Sequence, residues 1–190
     1  MKKIFLSLAA VGALSAGSAE ASVLWTFTET GGDVVGTYSG SLDITGLAFW
    51  SSGFTETSVN PFVASMLSGA TSTDVYSGLV GPTSFGSTNL KTLGTGSGSA
   101  FGIYGSNAGL LVLEGGYTSG DAISGTLTFS GATFASLGVD QGTYVYSLPN
   151  DTVTLQIGTP VGAVPLPAGG VLLASGLAAL GLRRRRKPGV

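Results

Sequence analysis

The chain contains no cysteine and no histidine. Without cysteine there is no disulfide framework, no thiol nucleophile and no thiolate zinc site. Without histidine the usual general base, the base of a hydrolytic triad and the commonest transition-metal ligand are missing. Basic residues are almost absent from the middle of the chain. Lys2 and Lys3 stand at the start and Arg183, Arg184, Arg185, Arg186 and Lys187 at the end, leaving only Lys91 between them. Against Lys91 the body from Ser22 to Thr159 sets Glu29, Asp33, Asp43, Glu56, Asp74, Glu114, Asp121, Asp140 and Asp151, a net charge of −8. Such a body cannot form the basic face that a nucleic-acid partner needs, so no nucleic acid is expected. The same excess favours solubility. Glycine, at 32 of 190 residues, is far above its average usage of about 7%. It follows no Gly-X-Y period, which excludes collagen. Apolar residues are interleaved with it, which predicts a folded chain.

The two ends are built differently from the body. Met1-Lys2-Lys3 precedes an apolar run from Ile4 to about Ala16, followed by Ser18-Ala19-Glu20-Ala21. A positive start, a short apolar segment and small residues at Ala19 and Ala21 predict a secretory signal cleaved after Ala21. The run is short for a membrane span of about 20 residues, which favours cleavage over a retained anchor. At the other end Val164-Pro165-Leu166-Pro167-Ala168 leads into the apolar stretch Ala168–Leu182, and the cluster Arg183 to Lys187 follows. Pro165 and Pro167 hold their segment extended outside any helix. The stretch of 15 residues makes about 22 Å of helix at ~1.5 Å per residue. A hydrocarbon core is about 30 Å thick, so a spanning helix there needs a thinned bilayer or snorkelling arginines. The basic cluster keeps its end in the cytoplasm and leaves the body outside. A short anchor beside an extended peptide suits a temporary stop that a peptidase resolves, the logic of other cleaved hydrophobic tails.

In the order and identity of these parts, Val164, Pro165, Leu166, Pro167 and Ala168, the apolar segment and the basic stop Arg183, Arg184, Arg185, Arg186 and Lys187, the tail resembles the VPLPA form of the PEP-CTERM sorting domain. The resemblance covers about 25 residues. It implies a Sec-type export route, transient anchoring in the inner membrane of a Gram-negative cell, and processing by an exosortase-type membrane peptidase. It further implies delivery to the outer surface or extracellular matrix, with a link to exopolysaccharide and biofilm. A plain tail anchor with a proline-containing linker is the alternative. The body is similar to a recurring type among such proteins in its Thr26-Phe27-Thr28-Glu29-Thr30-Gly31, its Gly36-Thr37-Tyr38-Ser39-Gly40-Ser41-Leu42, its Gly142-Thr143-Tyr144-Val145-Tyr146 and its last segment Asp151 to Ile157. That similarity implies a class and no activity.

Periodicity in the body predicts strands. Candidates are Val23 to Thr28, Val34 to Tyr38, Ser41 to Thr45, Val75 to Val80, Ala100 to Tyr104, Gly109 to Glu114, Ala122 to Phe129, Gly142 to Leu148 and Thr152 to Ile157. Gly31-Gly32-Asp33 reads as a turn, and a turn or two of helix is expected near Pro61 to Leu67. Short strands with regular turns predict an all-β antiparallel sandwich, jelly-roll-like, flanked by the N-terminal signal helix and a C-terminal hydrophobic helix. The organisation is therefore 1–21 signal, 22–160 β-rich extracytoplasmic domain and 161–190 sorting tail. The segments Ser39 to Phe49 and Ser124 to Phe134 echo each other, with five of eleven positions identical, and predict two similar strand-turn units. One such echo does not make a solenoid.

Chemistry is hard to place on this body. A nucleophile needs a positioned base, and only a serine paired with Lys91 could supply one. Gly94-Thr95-Gly96-Ser97-Gly98 lacks the Gly-Lys-Ser/Thr of a phosphate cradle and reads as a flexible loop. The nine acids could include the facing carboxylates of a hydrolase, but no spacing selects a pair. No cofactor is expected. A structural calcium ion would draw on loop oxygens such as those near Asp33, Asn150 and Asp151, although no calcium-loop motif is present. The main alternative to a non-enzymatic envelope or matrix role is carbohydrate binding by exposed aromatics, drawn from Trp25, Trp50, Tyr76, Tyr104, Tyr117, Tyr144 and Tyr146. Tyr144 and Tyr146 alternate with Leu148 and read as core. Trp50, beside Ser51-Ser52-Gly53, is the position expected to be exposed.

The tail predicts a processing step. Mass spectrometry of the exported protein is expected to show loss of residues 1–21 and of the arginine-rich end. An intact terminus at Val190 would leave the plain anchor instead. Replacing Pro165 and Pro167 by Ala is expected to preserve export and block release.

Overall fold

The computed structural model describes residues 22–69, 71–106 and 108–158. The expected signal helix and cleavage site, sorting motif, hydrophobic helix and basic stop lie outside the described residues. Among the described residues no helix is long and apolar enough to cross a membrane.

The fold is all-β. Its strands are β1 (Ser22–Thr30), β2 (Asp33–Gly40), β3 (Ala48–Phe54), β4 (Ser58–Asn60), β5 (Ser65–Ser68), β6 (Ser72–Ser77), β7 (Thr92–Leu93), β8 (Thr95–Gly98), β9 (Phe101–Tyr104), β10 (Leu110–Glu114), β11 (Ile123–Phe129), β12 (Gly142–Ser147) and β13 (Thr152–Ile157). A four-residue helix, α1 (Phe134–Leu137), stands between β11 and β12. Six strands form one sheet in the order β12-β13-β1-β2-β11-β8, and seven form the other in the order β3-β6-β10-β9-β5-β4-β7. Every pairing is antiparallel except β1 with β13. That parallel pair sets Ser22 beside Thr152 and Phe27 beside Ile157, so the last strand lies inside the first sheet. Gly158 N–H closes the ladder by donating to Phe27 O at 2.9 Å.

Alternation along β1, β2, β11 and β13 sends one apolar row inward from each strand. Val23, Trp25 and Phe27, Val34 and Tyr38, Ile123, Leu127 and Phe129, and Val153, Leu155 and Ile157 are all buried. The second sheet answers with Met66, Phe101, Ile103, Leu111 and Leu113 in the same core. Trp25 joins the two sheets. Its ring centroid lies 5.2 Å from Tyr38 and 5.1 Å from Phe101. The Tyr38 hydroxyl donates to Ser99 O at 2.6 Å and lies 3.1 Å from Ser68 Oγ, which satisfies a polar atom inside the core. Gly36 faces Phe27 across the β1–β2 ladder, and a Cβ there would overlap the Phe27 ring. Gly31 and Gly32 form the predicted turn at φ +66° and +90°, which glycine enters without steric cost.

Four expectations need correction. Ser41 to Thr45 is a loop, not a strand. Leu42 N–H goes to the Tyr117 hydroxyl, Asp43 N–H to the Asp151 carboxylate and Ile44 N–H to Ser119 Oγ, so side chains take the donors a ladder would have used. The two echoing segments therefore differ in structure, because Ser124 to Phe129 is strand throughout. The helix expected near Pro61 to Leu67 is one 3-10 turn (Pro61–Val63) ended by Ala64 at φ +48°, after which β5 pairs with β4 and β9. Gly94 to Gly98 is not a free loop either. β8 pairs with β11, and Ser97 Oγ lies 2.9 Å from Thr126 Oγ1. α1 forms where no helix was expected; Thr133 and Ser136 cap it reciprocally and Gly138 ends it at φ +68°. The other expected strands form within a few residues of their predicted positions, that expected from Val75 to Val80 spanning Ser72–Ser77, while β3, β4 and β7 arise where no strand was expected. Val80 instead bridges Ser147 with bonds of 2.9 and 2.7 Å.

The burial pattern predicts opposite outcomes for the two tryptophans. Trp25→Ala is expected to cost about 3–5 kcal/mol, the range for emptying a buried aromatic site. Trp50→Ala, on exposed β3, is expected to stay within about 0.5 kcal/mol of the parent. Urea midpoints of the two variants check the contrast.

Candidate functional site

Every residue of β3 is exposed, unlike every other strand of comparable length. Among the described residues it forms one edge of the seven-stranded sheet and pairs only with β6. Phe49 is 59% exposed, Trp50 62% and Phe54 88%. Trp50 is thus exposed as expected, while Trp25 and Tyr146 lie in the core and Tyr144 packs edge-on against Phe85. Tyr117 is pinned, accepting from Leu42 N–H at 2.8 Å.

The register explains how a strip arises on β3. Phe49 and Phe54 are five residues apart, an odd spacing that places them on opposite faces of a regular strand. A bulge between Phe49 and Ser51 adds one residue, Trp50, to β3. Phe49 then pairs with Tyr76, Ser52 with Asp74 and Phe54 with Ser72. These paired residues share one face. On it the two phenylalanines stand about 13 Å apart, at ~3.3 Å for each of the steps between their partners. Phe49 meets Tyr76 edge-on, with centroids 6.0 Å apart.

Between the two rings lies a polar pair. Ser52 Oγ donates to Asp74 Oδ1 at 2.7 Å, and Gly116 N–H donates to Asp74 Oδ2 at 2.9 Å. Those bonds, led by the one from Gly116, hold the Asp74 carboxyl below its usual range and keep it ionised. Partial burial, and then the Asp74 charge, raise the Tyr76 phenol. The same face holds the core further along. Leu111 pairs with Tyr76 and Leu113 with Asp74, and both leucines are fully buried. Moving outward across the sheet, this face passes from buried leucines through half-buried Tyr76 and Asp74 to exposed Phe49, Ser52 and Phe54.

The other sequence candidates fall elsewhere. Val164, Pro165, Leu166, Pro167, Ala168, Arg183 to Lys187, Ala19 and Ala21 lie outside the described residues. Lys91 bonds Glu56 Oε1 at 2.6 Å. Asp33 accepts from Gly131 N–H at 2.8 Å, and Asn150 donates to Asp43 Oδ2 at 3.1 Å. Asp151 is buried and accepts from Asp43 N–H. These side chains tie loops together, and among the described residues no group of three or more acids is placed to hold a metal ion. An open cavity of about 330 Å³ includes Ser22, Ser147, Asn150 and Asp151 in its wall. A second, of about 260 Å³, lies between Glu114 and Asp121. There Asp121 accepts from Thr118 N–H at 3.1 Å and closes its own turn.

Compared with protein-family models, with curated proteins and with solved structures, the chain matches none.

Hydrogen bonds from Thr45, then from Ser119 and Asn150, lower the Asp43 pKa. Its folded-state value therefore lies below the unfolded value of about 3.9. The stabilisation is present above that value and is lost as pH falls through the folded one. Asp43→Asn is expected to melt below the parent at neutral pH, the gap closing as pH falls from about 4. Thermal unfolding across that window checks it.

Proposed function

We propose that this protein is an exported, non-enzymatic component of the cell envelope or extracellular matrix whose β3 strip holds an extended polysaccharide. The strip carries the reading. Two phenylalanines share one exposed face, a hydroxyl–carboxylate pair lies between them, and Trp50 is exposed beside them. Sugar rings present apolar C–H faces that stack on aromatic rings, and their hydroxyls exchange hydrogen bonds with groups such as Ser52 and Asp74. A linear arrangement at a sheet edge suits a chain better than a single sugar, which needs a pocket that encloses it. The two-sheet body, taken here as a jelly-roll-like sandwich, acts as a rigid mount.

The ends supply the address in this proposal. A Sec-type signal exports the chain, the VPLPA-type tail holds it briefly in the inner membrane, and an exosortase-type peptidase releases it to the surface or matrix. Binding of exopolysaccharide there keeps it in place.

The exported protein is expected to be retarded in gels containing the producing cell's own polysaccharide. Phe49→Ala and Phe54→Ala together are expected to abolish that retardation and leave the unfolding free energy, measured with urea, within about 0.5 kcal/mol of the parent. Retardation equal to that of the parent sinks the β3 site. Release of sugar fragments during the incubation instead favours a hydrolase, for which Glu114 and Asp121 around the second cavity are the carboxylates to test.

A further inference from the structure

We infer that the β3 strip selects glycans bearing free amino groups over acidic ones, with Asp74 as the specificity-determining residue. The inference rests on the polysaccharide reading and adds the chemical class of the chain that is bound. Asp74 lies between the partners of Phe49 and Phe54, so a glycan spanning the two rings passes over its carboxylate. Its oxygens accept one bond each, from Ser52 and from Gly116. A carboxylate has about four acceptor sites, so capacity for a ligand is left.

Among the described residues no cation competes for that charge. Lys91 is the one basic residue among those described, and Glu56 holds it at 2.6 Å. An ammonium on a sugar seated between the rings therefore meets an ionised carboxylate whose protein partners, Ser52 and Gly116, are both uncharged. A uronate in the same place meets like charge, reinforced by the −8 of the body. Such a pair works mainly through specificity and is sensitive to salt. The two flanking rings stack on the apolar sugar faces that all these glycans share, and any cation–π attraction they add for an ammonium is unchanged in Asp74→Asn.

The test compares three oligosaccharides of equal length: a β-1,4-glucosamine oligomer, its fully N-acetylated counterpart and a polyuronate. Each is titrated into the exported protein, Asp74→Asn and Asp140→Asn. Asp140 is an exposed acid in the loop before β12, a strand of the other sheet, so its variant loses the same charge outside the strip. The expected result is binding of the amino oligomer at least about threefold tighter than the acetylated one at low salt, a gap that narrows as salt rises. Asp74→Asn is expected to erase the gap and Asp140→Asn to keep it, with the polyuronate weakest throughout. Equal binding of amino and acetylated oligomers, or a preference that survives Asp74→Asn, overturns the inference while leaving the polysaccharide reading intact. Loss of the preference in both variants assigns it to bulk charge and also overturns it. Failure of all three oligomers and of the cell's own polysaccharide to bind removes the polysaccharide reading itself.

Discussion

Trp25 packs against Phe101 of the opposite sheet and against Tyr38 of its own, with ring centroids little more than 5 Å apart. The body depends on this contact because the sequence provides no covalent cross-link. Stability must come from one apolar layer between two sheets. Tyr38 extends the contact by pairing its hydroxyl with Ser99 and Ser68, which fixes where the two sheets meet. β13 then enters the first sheet between β12 and β1, so the last strand of the body belongs to its interior. In the proposed life of the protein, the tail is removed beyond a strand that is already locked into place.

The same layer explains the exposed edge. Buried residues line the inward face of β10, and paired positions on β6 and β3 continue that face outward until it is bare. An edge strand with three exposed aromatics and no charge or proline is a liability for an acidic body of this kind. Its bulge gives local relief, because bulges twist edges away from further pairing. Retention of the aromatics despite that liability is what a ligand for the strip would explain.

Much of the fold was legible from residue patterns. Alternation from Val23 to Phe27 and from Thr152 to Ile157, and the glycine turn at Gly31-Gly32, led to the right strands and faces, because side-chain parity follows directly from the pleat. Ser41 to Thr45 has the same alternation and yet is a loop. Its partners Tyr117, Ser119 and Asp151 come from more than seventy residues away, and no local pattern announces them. β8 was hidden in glycines whose purpose is close approach, since a Cβ on Gly96 would run into Thr57 and Ser68. α1 had a capping box and a terminal glycine but spans too few residues to show helical periodicity. Of the candidate site, Trp50 was foreseen as exposed from its polar neighbours. Phe49 and Phe54 were not foreseen, because apolar residues in a short run look like core.

By itself the sequence determined the absence of cysteine and histidine, the acid excess of the body and the all-β class. These follow from composition and short-range order, which need no knowledge of long-range contacts. Only the tertiary structure decided the site. An odd spacing of five separates Phe49 from Phe54, and the sequence alone puts them on opposite faces. One extra residue at the bulge restores even parity, and pairing with β6 brings Asp74 between them. Register between strands is set by the whole ladder and by the core it covers, so it cannot be read from either strand alone.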